Sequence, residues 1–372
     1  MRKKLHLIAF DIPYPPIYGG VIDIFYKIKA LHHLGIGVIL HCFQYGKDEQ
    51  PTLNEYCETI HYYKRNSYFS SIFSNEFPFI VKSRGNDDLI ANLSQDEHPI
   101  LFDGLHTTYI LNLNEFKGRK LFLRAHNVEH RFYKALAKSE SNIFKRNFFK
   151  QESKKLKKYE SILHQMNGVF TISPLEQSYF EQKYGQKCIY IPAFHDNRRH
   201  TQYEERGKFV LYHGNILVSE NVKAALFLID VYKNTPWQLV IASSYFNDEV
   251  TKEILKYDNI VFHSLIKKND LSRLFQNAHI NVLPTFQNTG IKLKLLNTLY
   301  QGKFVIANDF MVDNTGLESL CVKANTPDEF LQKTDELFQQ DFTREILEER
   351  KRVLQGFSPK ESAKKMIGAM FD

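Results

Sequence analysis

Lys292 and Lys294 stand in the stretch PTFQNTGIKLKLLNTLYQGKFVIAND, residues 284–309, whose spacing suits chemistry on an anion. Pro284 follows the apolar run Ile280–Leu283, and a polar loop, Gln287–Asn288–Thr289–Gly290, comes next. Ile291, Leu295, Leu296 and Leu299 then recur at helical spacing. Gly302 ends that helix, and Phe304–Ala307 reads as the following buried strand. A loop of this kind turns main-chain N–H groups and the positive end of a helix dipole toward whatever lies above the sheet edge. Cations in a first helical turn are disfavoured by roughly 0.3–1 kcal/mol each. Two of them are easier to explain if an anion binds between the lysines and the helix end. Residues at i and i+2 do not share a helix face, so both reach one anion only if the helix proper starts near Lys292. The competing reading is a pair of solvated lysines with Thr289 as N-cap.

Other candidates also sit at strand ends. Gly19–Gly20 follows the strand Leu5–Phe10 and a Pro/Gly loop, and opens a helix. Doubly wound folds bind ligands at that place, although a tight turn explains two glycines equally and no GxGxxG pattern is present. The strand Ile100–Asp103 runs into Gly104–Leu105–His106, and the strand Leu121–Ala125 into His126–Asn127–Val128–Glu129–His130. Such histidines either pack structurally or face a ligand. His126 and His130 are four apart, but no cysteine or acid completes a metal set at motif-like spacing, so no metal site is expected.

These residues need a scaffold of parallel strands. Leu5–Phe10, the apolar-periodic segment Val21–Leu34 with Gly35 behind it, and Val38–Phe43 form a βαβ unit. A polar run, 195–207, separates two βα-rich halves. The expected organisation is 1–195, 208–355, and a last helical segment, 356–372. Residues 144–163 read as one long helix with a basic face of Lys145, Arg146, Lys150, Lys154, Lys155, Lys157 and Lys158. It is either a solvated face or a patch for anionic lipid head groups or a lipid-linked acceptor. The chain has 372 residues, 43% apolar, with a net charge of +7. That excess suits an anionic substrate, an acidic membrane surface or nucleic acid, and does not choose among them. Basic residues are not interleaved with aromatics as in a nucleic-acid module, so no nucleic-acid partner is expected. Cys42, Cys57, Cys188 and Cys321 are scattered and lie in or near apolar runs, which reads as buried thiols in a reducing compartment. The apolar run after the basic start is too short for a signal or a span, so a cytoplasmic protein is expected.

Four segments resemble the retaining GT-B glycosyltransferases of group 1, in the right order along almost the whole chain. They are Pro15–Gly20, the RAHNVEH run from Arg124 to His130, the run from Gly214 to Phe227, and TGIKLKLLNTLYQGKFVIAND. The resemblance implies an α/β protein of two facing Rossmann-like domains with the active site in the interdomain cleft, and a last helix that returns to the first domain. It implies a metal-independent hexosyltransferase without cofactor, using a nucleotide-diphosphate sugar and a glycan or lipid-linked acceptor, in cell-surface polysaccharide synthesis. Peripheral contact with an anionic membrane would run through 144–163. On this resemblance His126, Lys292 and Lys294 are the catalytic candidates. Gly19, Gly20, Gly214, Asn215, Thr289, Gly290 and Asn297 are donor-binding, while Asp103, His106, Asn127 and Glu129 lie on the acceptor side. The family's usual glutamate pair falls at Thr289 and Asn297, so both carboxylates are missing. An Asn amide oxygen can still accept from ribose hydroxyls. The alternative is a GT-B-shaped nucleotide-binding or partner subunit without catalysis.

Overall fold

The computed structural model describes residues 2–66, 76–113, 116–185, 187–197, 201, 206–267, 269–286 and 292–372. Two contact units emerge: Met1–His195 with Gly356–Asp372, and Asp196–Asn288 with Lys292–Gln355.

In the first unit, short apolar runs flanked by Gly, Pro and polar turns become strands buried on both faces, as parallel sheets require. They are β1 (Lys4–Ala9), β2 (Gly37–Gln44), β3 (Thr59–Lys64), β4 (Ile100–Asp103), β5 (Leu121–Ala125), β6 (Gly168–Thr171) and β7 (Cys188–Tyr190). The order is β3-β2-β1-β4-β5-β6-β7, and every pair is parallel. Strand alternation divides the core. Leu5, Leu7 and Ala9 join one apolar cluster and Ile8 the other. Helix α1 (Gly19–His33) starts at Gly19 itself, with Tyr18 as N-cap, so the two glycines are helical residues rather than a preceding turn. A Cβ on Gly20 would lie 2.7 Å from the Phe10 ring, which is the packing reason for glycine there. The helix Pro359–Phe371 puts Ala363, Met366 and Met370 into the same cluster as Ile24 and Ile28 of α1.

Helix α2 (Glu129–Ser139) follows β5, and α3 (Ile143–Tyr159) carries the basic run. The single helix expected to Leu163 instead tightens into a 3-10 turn, Glu160–Gln165. Cys42 and Cys188 are buried, but Cys57 and Cys321 are only half-buried, against the expectation of four buried thiols; all four are free.

The second unit restarts the pattern. Its strands are β8 (Phe209–His213), β9 (Leu239–Ser243), β10 (Ile260–Ser264), β11 (Ala278–Leu283), β12 (Phe304–Ala307) and β13 (Val322–Lys323). They run parallel in the order β10-β9-β8-β11-β12-β13. Helix α4 (Ser219–Tyr232) follows β8, and α5 (Leu293–Gln301) leads into β12. In both sheets the strand order reverses beside the first strand, between β1 and β4 and between β8 and β11. Doubly wound sheets open a ligand crevice at the carboxyl ends of such strands.

Candidate active site

At the switch point of the second sheet, β8 ends in His213 and gives way to Gly214 and Asn215. His213 is buried and its Nε2 lies 3.0 Å from Thr298 Oγ1. Burial, then the nearby Lys294 charge, push its pKa down to about 3, so it is a neutral packing residue. Lys294 lies in the first turn of α5, and its Nζ donates to Asn221 Oδ1 at 2.8 Å and toward Tyr212 Oη at 3.4 Å. The ammonium also sits 4.7 Å from the centre of the Tyr212 ring. Asn221 Nδ2 in turn donates to the Asn215 carbonyl at 2.9 Å. A Cβ on Gly214 would fall 2.8 Å from Lys294 Nζ, so this glycine leaves room for the ammonium. Gly214, Asn215 and Lys294 are therefore one cluster.

Lys294 makes no ion pair with any acid among the described residues; Glu220 acts on it only at longer range. Burial pushes its pKa from 10.5 down to about 8. Helix α5 begins at Lys292 as N-cap, with no side-chain capping bond and no acid in its first turn. Its other end is well satisfied. Buried Arg350 donates to the carbonyls of Leu299 at 3.3 Å, Gly302 at 2.6 Å and Lys303 at 2.5 Å. A cation at the C-terminus stabilises a helix, and cations at the N-terminus destabilise it. The helix thus has a satisfied tail and a head suited to an anion.

The loop entering α5 is pinned at its start. Glu220 Oε1 accepts from Thr285 Oγ1 at 2.9 Å and from the Phe286 N–H at 2.5 Å. Asn308 accepts from the Thr285 N–H at 3.0 Å and donates to its carbonyl at 2.6 Å. Thr289 and Gly290 lie outside the described residues. Asn297 is on the same helix, but its Oδ1 already accepts from Gln301 Nε2 at 2.5 Å.

The first unit's switch point carries a buried charge network. Asp23 and Lys27, one turn apart on α1, are fully buried. Arg124, inside β5, donates from Nη2 to Asp23 Oδ1 at 2.8 Å and from Nε to Oδ2 at 3.1 Å. Lys27 Nζ lies 3.2 Å from Asp23 Oδ2 and 2.5 Å from Asp103 Oδ2. Asp103 Oδ1 lies 2.5 Å from His126 Nε2. Burial pushes the Asp103 carboxyl up, but Lys27 and the His126 hydrogen bond outweigh it and hold it below its ordinary range. Asp103 therefore accepts the His126 Nε2–H. The other ring nitrogen, Nδ1, has no hydrogen-bond partner among the described residues. Asp23, Asp103 and His126 offer metal-type ligand atoms within 4.8 Å of one another. Lys27 and Arg124 already neutralise both carboxylates, so the group reads as an ion-pair network.

This network corrects two expectations. Asp103 has no exposed surface and cannot touch an acceptor; it orients His126. Glu129 is 4% exposed, and burial pushes its carboxyl up to about 8, against a hydrogen bond from Asn127. It too is a supporting group. His106 stays near His126: the Phe10 ring packs 5.2 Å from His106 and edge-on, 5.6 Å, against His126. Burial keeps His106 well below its ordinary pKa, hence neutral. Asp23, Lys27, Asn221, Tyr212 and Glu220 were missed as functional residues. Charges at i and i+4 in the apolar helix of α1, and an arginine inside the apolar strand β5, were the available signals.

Residues 207–340 match the family model described as glycosyl transferases group 1. A protein of Klebsiella pneumoniae described as an uncharacterised 44.6 kDa protein in the cps region is 24% identical over 330 residues, spanning 84% of each chain. Among solved structures, sucrose-phosphate synthase of Thermosynechococcus elongatus superposes with a TM-score of 0.64 at 16% identity, over 98% of this chain and 97% of that one. TarM gives 0.65 at 10% identity, over 100% and 99%. A glycosyltransferase of Rickettsia africae gives 0.65 at 14% identity, over 99% and 97%. The chain has the GT-B fold of two Rossmann-like domains. The match across its second unit supports a glycosyltransferase of that fold.

Proposed function

We propose that the chain is a retaining, nucleotide-sugar-dependent glycosyltransferase that moves a hexosyl group to a glycan or lipid-linked acceptor without a metal or other cofactor. The observation that carries this reading is Lys294, an ammonium that is largely desolvated and lacks an acid partner among the described residues, at the head of α5, whose N-cap makes no side-chain capping bond. The bond from the sugar's anomeric carbon to the diphosphate breaks, and a bond to the acceptor oxygen forms on the same face. The acceptor's proton passes to the departing phosphate. Charge grows on the diphosphate as it leaves, and Lys294, Lys292 and the helix N–H groups hold it. Preorganised donors of this kind supply several kcal/mol, roughly, to a developing anion. Gly214 and Asn215 shape the same wall, and Thr289, Gly290 and Asn297 are assigned to the donor by resemblance. Gly19 and Gly20, at the head of α1, add N–H groups at the first sheet's switch point. His126, fixed by Asp103, offers Nδ1 to a sugar or acceptor hydroxyl, and His106 and Asn127 border the acceptor.

The cps region named for the Klebsiella relative supports a place in cell-surface polysaccharide synthesis. No helix among the described residues is long and apolar enough to cross a membrane. Exposed Ile143 and Phe144 at the start of α3, followed by exposed Lys145, Lys150, Lys154, Lys157 and Lys158, fit peripheral contact with an anionic membrane face.

The test is donor hydrolysis and transfer across a panel of nucleotide sugars, comparing wild type with Lys294→Met and Lys292→Ala. Turnover that is equal in all three sinks the lysine assignment. Thr289 and Asn297, where both of the family's carboxylates are missing, favour a second reading, a nucleotide-binding or partner subunit without catalysis. Calorimetry that shows nucleotide binding with no turnover on any donor selects that reading, and turnover excludes it.

A further inference from the structure

Two arginines of the first unit are held without a carboxylate partner among the described residues. Arg84 is 5% exposed. Its Nε and Nη2 donate to the Phe10 carbonyl at 3.1 and 3.0 Å, and its Nη1 to the Ile80 carbonyl at 2.6 Å. Carbonyl oxygens solvate the guanidinium but do not neutralise it. Arg65 is half-buried, donates to Ser83 Oγ at 3.1 Å, and stacks 4.6 Å from the Tyr45 ring centre. Asp11, whose charge acts on both arginines, is already engaged. It accepts from Tyr18 Oη at 2.7 Å, from the Ile12 N–H at 2.8 Å, and from Lys47 Nζ at 3.2 Å. Burial pushes the Glu129 carboxyl up to about 8, against the pull of Asn127 and Arg84.

A buried cation without a counterion costs several kcal/mol in general, and half-buried Arg65 repels Arg84 further, so the pair calls for an anion. Their location says which anion. Arg84 is bonded to Phe10, the residue after β1, and the Phe10 ring packs against both His106 and His126. His126 is 5% exposed, and its Nδ1 and that of His106 have no hydrogen-bond partners among the described residues. Arg84, His106 and His126 therefore meet around one strand-end residue, Phe10, and the charges of Arg84 and Arg65 both act on His106.

We propose that this strand-end cluster recognises an oxyanion on the acceptor, a carboxylate or a phosphate, with Arg65 in direct contact and buried Arg84 supplying the field behind it. The inference rests on the glycosyltransferase reading and names the class of acceptor. Two sources share this chemistry: the carboxylate of an acidic sugar and the diphosphate of a lipid carrier.

The experiment measures binding to the full chain carrying Lys294→Met, which removes the donor-side ammonium that a diphosphate would otherwise find. The probes are methyl glucuronide, geranyl diphosphate and, as neutral control, methyl glucoside. Each is titrated against this protein and against the same protein with Arg65→Gln or Arg84→Gln added. Charge-assisted bidentate contacts lead one to expect about tenfold or greater weakening of the anionic probe in Arg65→Gln, with the neutral control unchanged. Loss confined to glucuronide identifies a sugar carboxylate, and loss confined to geranyl diphosphate a carrier phosphate; either supports the proposal. Equal affinity in Arg65→Gln, or no binding of either anion without it, overturns it, and this holds even if Arg84→Gln fails to fold. Donor hydrolysis by wild type, measured in parallel, reports separately on the glycosyltransferase reading.

Discussion

Nucleotide affinity should fall as the pH rises from 7 to 9, and Lys294→Met should abolish that dependence. Lys294 Nζ is packed against Tyr212 and Asn221, and burial lowers its pKa from 10.5 to about 8. Holding the charge in the empty site thus costs ~3 kcal/mol. A diphosphate supplies the missing opposite charge, so binding and protonation are linked. Below about 8 the lysine is already charged and affinity is flat; at pH 9 about nine in ten molecules must first take up a proton, which weakens binding about tenfold. Lys294→Met loses a charge-assisted contact worth ~1.5–3 kcal/mol, so affinity at pH 7 drops about ten- to hundredfold and stays level to pH 9. Stability moves the opposite way. The folded pKa lies below the unfolded one, so between about 8 and 10.5 the unfolded chain holds a proton that the folded chain lacks, and stability rises with pH across that window. Lys294→Met should therefore be as stable as wild type at pH 7, or more so by up to ~3 kcal/mol. Isothermal titration with a panel of nucleoside diphosphates at pH 7, 8 and 9, with urea unfolding of both proteins, makes the comparison. Wild-type affinity that changes less than about twofold over that range, or a variant that binds as tightly as wild type, refutes the reasoning.

Asp103→Asn should reduce turnover by about a hundredfold or more while leaving nucleotide affinity intact, because His126 loses the carboxylate that fixes its tautomer; steady-state kinetics with a separate binding titration checks it. Lys27→Met leaves Asp23 with Arg124 and Asp103 with His126 only, and should cost ~3–5 kcal/mol in urea unfolding, part of which Asp103→Asn restores in the double variant. The depressed Asp23 and Asp103 carboxyls contribute stability that is present above their unfolded values near 3.8 and lost as the pH falls below them, so Asp103→Asn should flatten acid unfolding in that range. Arg350→Met uncaps three carbonyls at the tail of α5 and should cost ~2–4 kcal/mol, read as a shifted urea midpoint at unchanged slope.

The sheets were legible because parallel strands buried on both faces appear as short apolar runs between glycines and prolines. Ile280–Leu283 and Phe304–Ala307 are two such runs, and they pair as β11 and β12. The central helix was legible from Leu295, Leu296 and Leu299 and its stop at Gly302, the C-cap of α5, while Ile291 lies outside the described residues. β3 was not, because Thr59–Lys64 reads His, Tyr and Lys with little apolar alternation. Lys294 stood out through its position against the helix dipole. Asp103 was placed on the correct strand end but on the wrong side of the chemistry: spacing cannot show that Lys27, 76 positions earlier, closes over its second oxygen. The arginines Arg65 and Arg84 carry no motif; that neither has an acid partner among the described residues is a tertiary fact.

The account depends above all on where a diphosphate docks. A crystal of the wild-type protein soaked with a nucleotide sugar decides it. The account predicts a phosphate oxygen within about 3 Å of Lys294 Nζ, at the head of α5. A diphosphate bound elsewhere, with Lys294 still turned only to Asn221 and Tyr212, contradicts it.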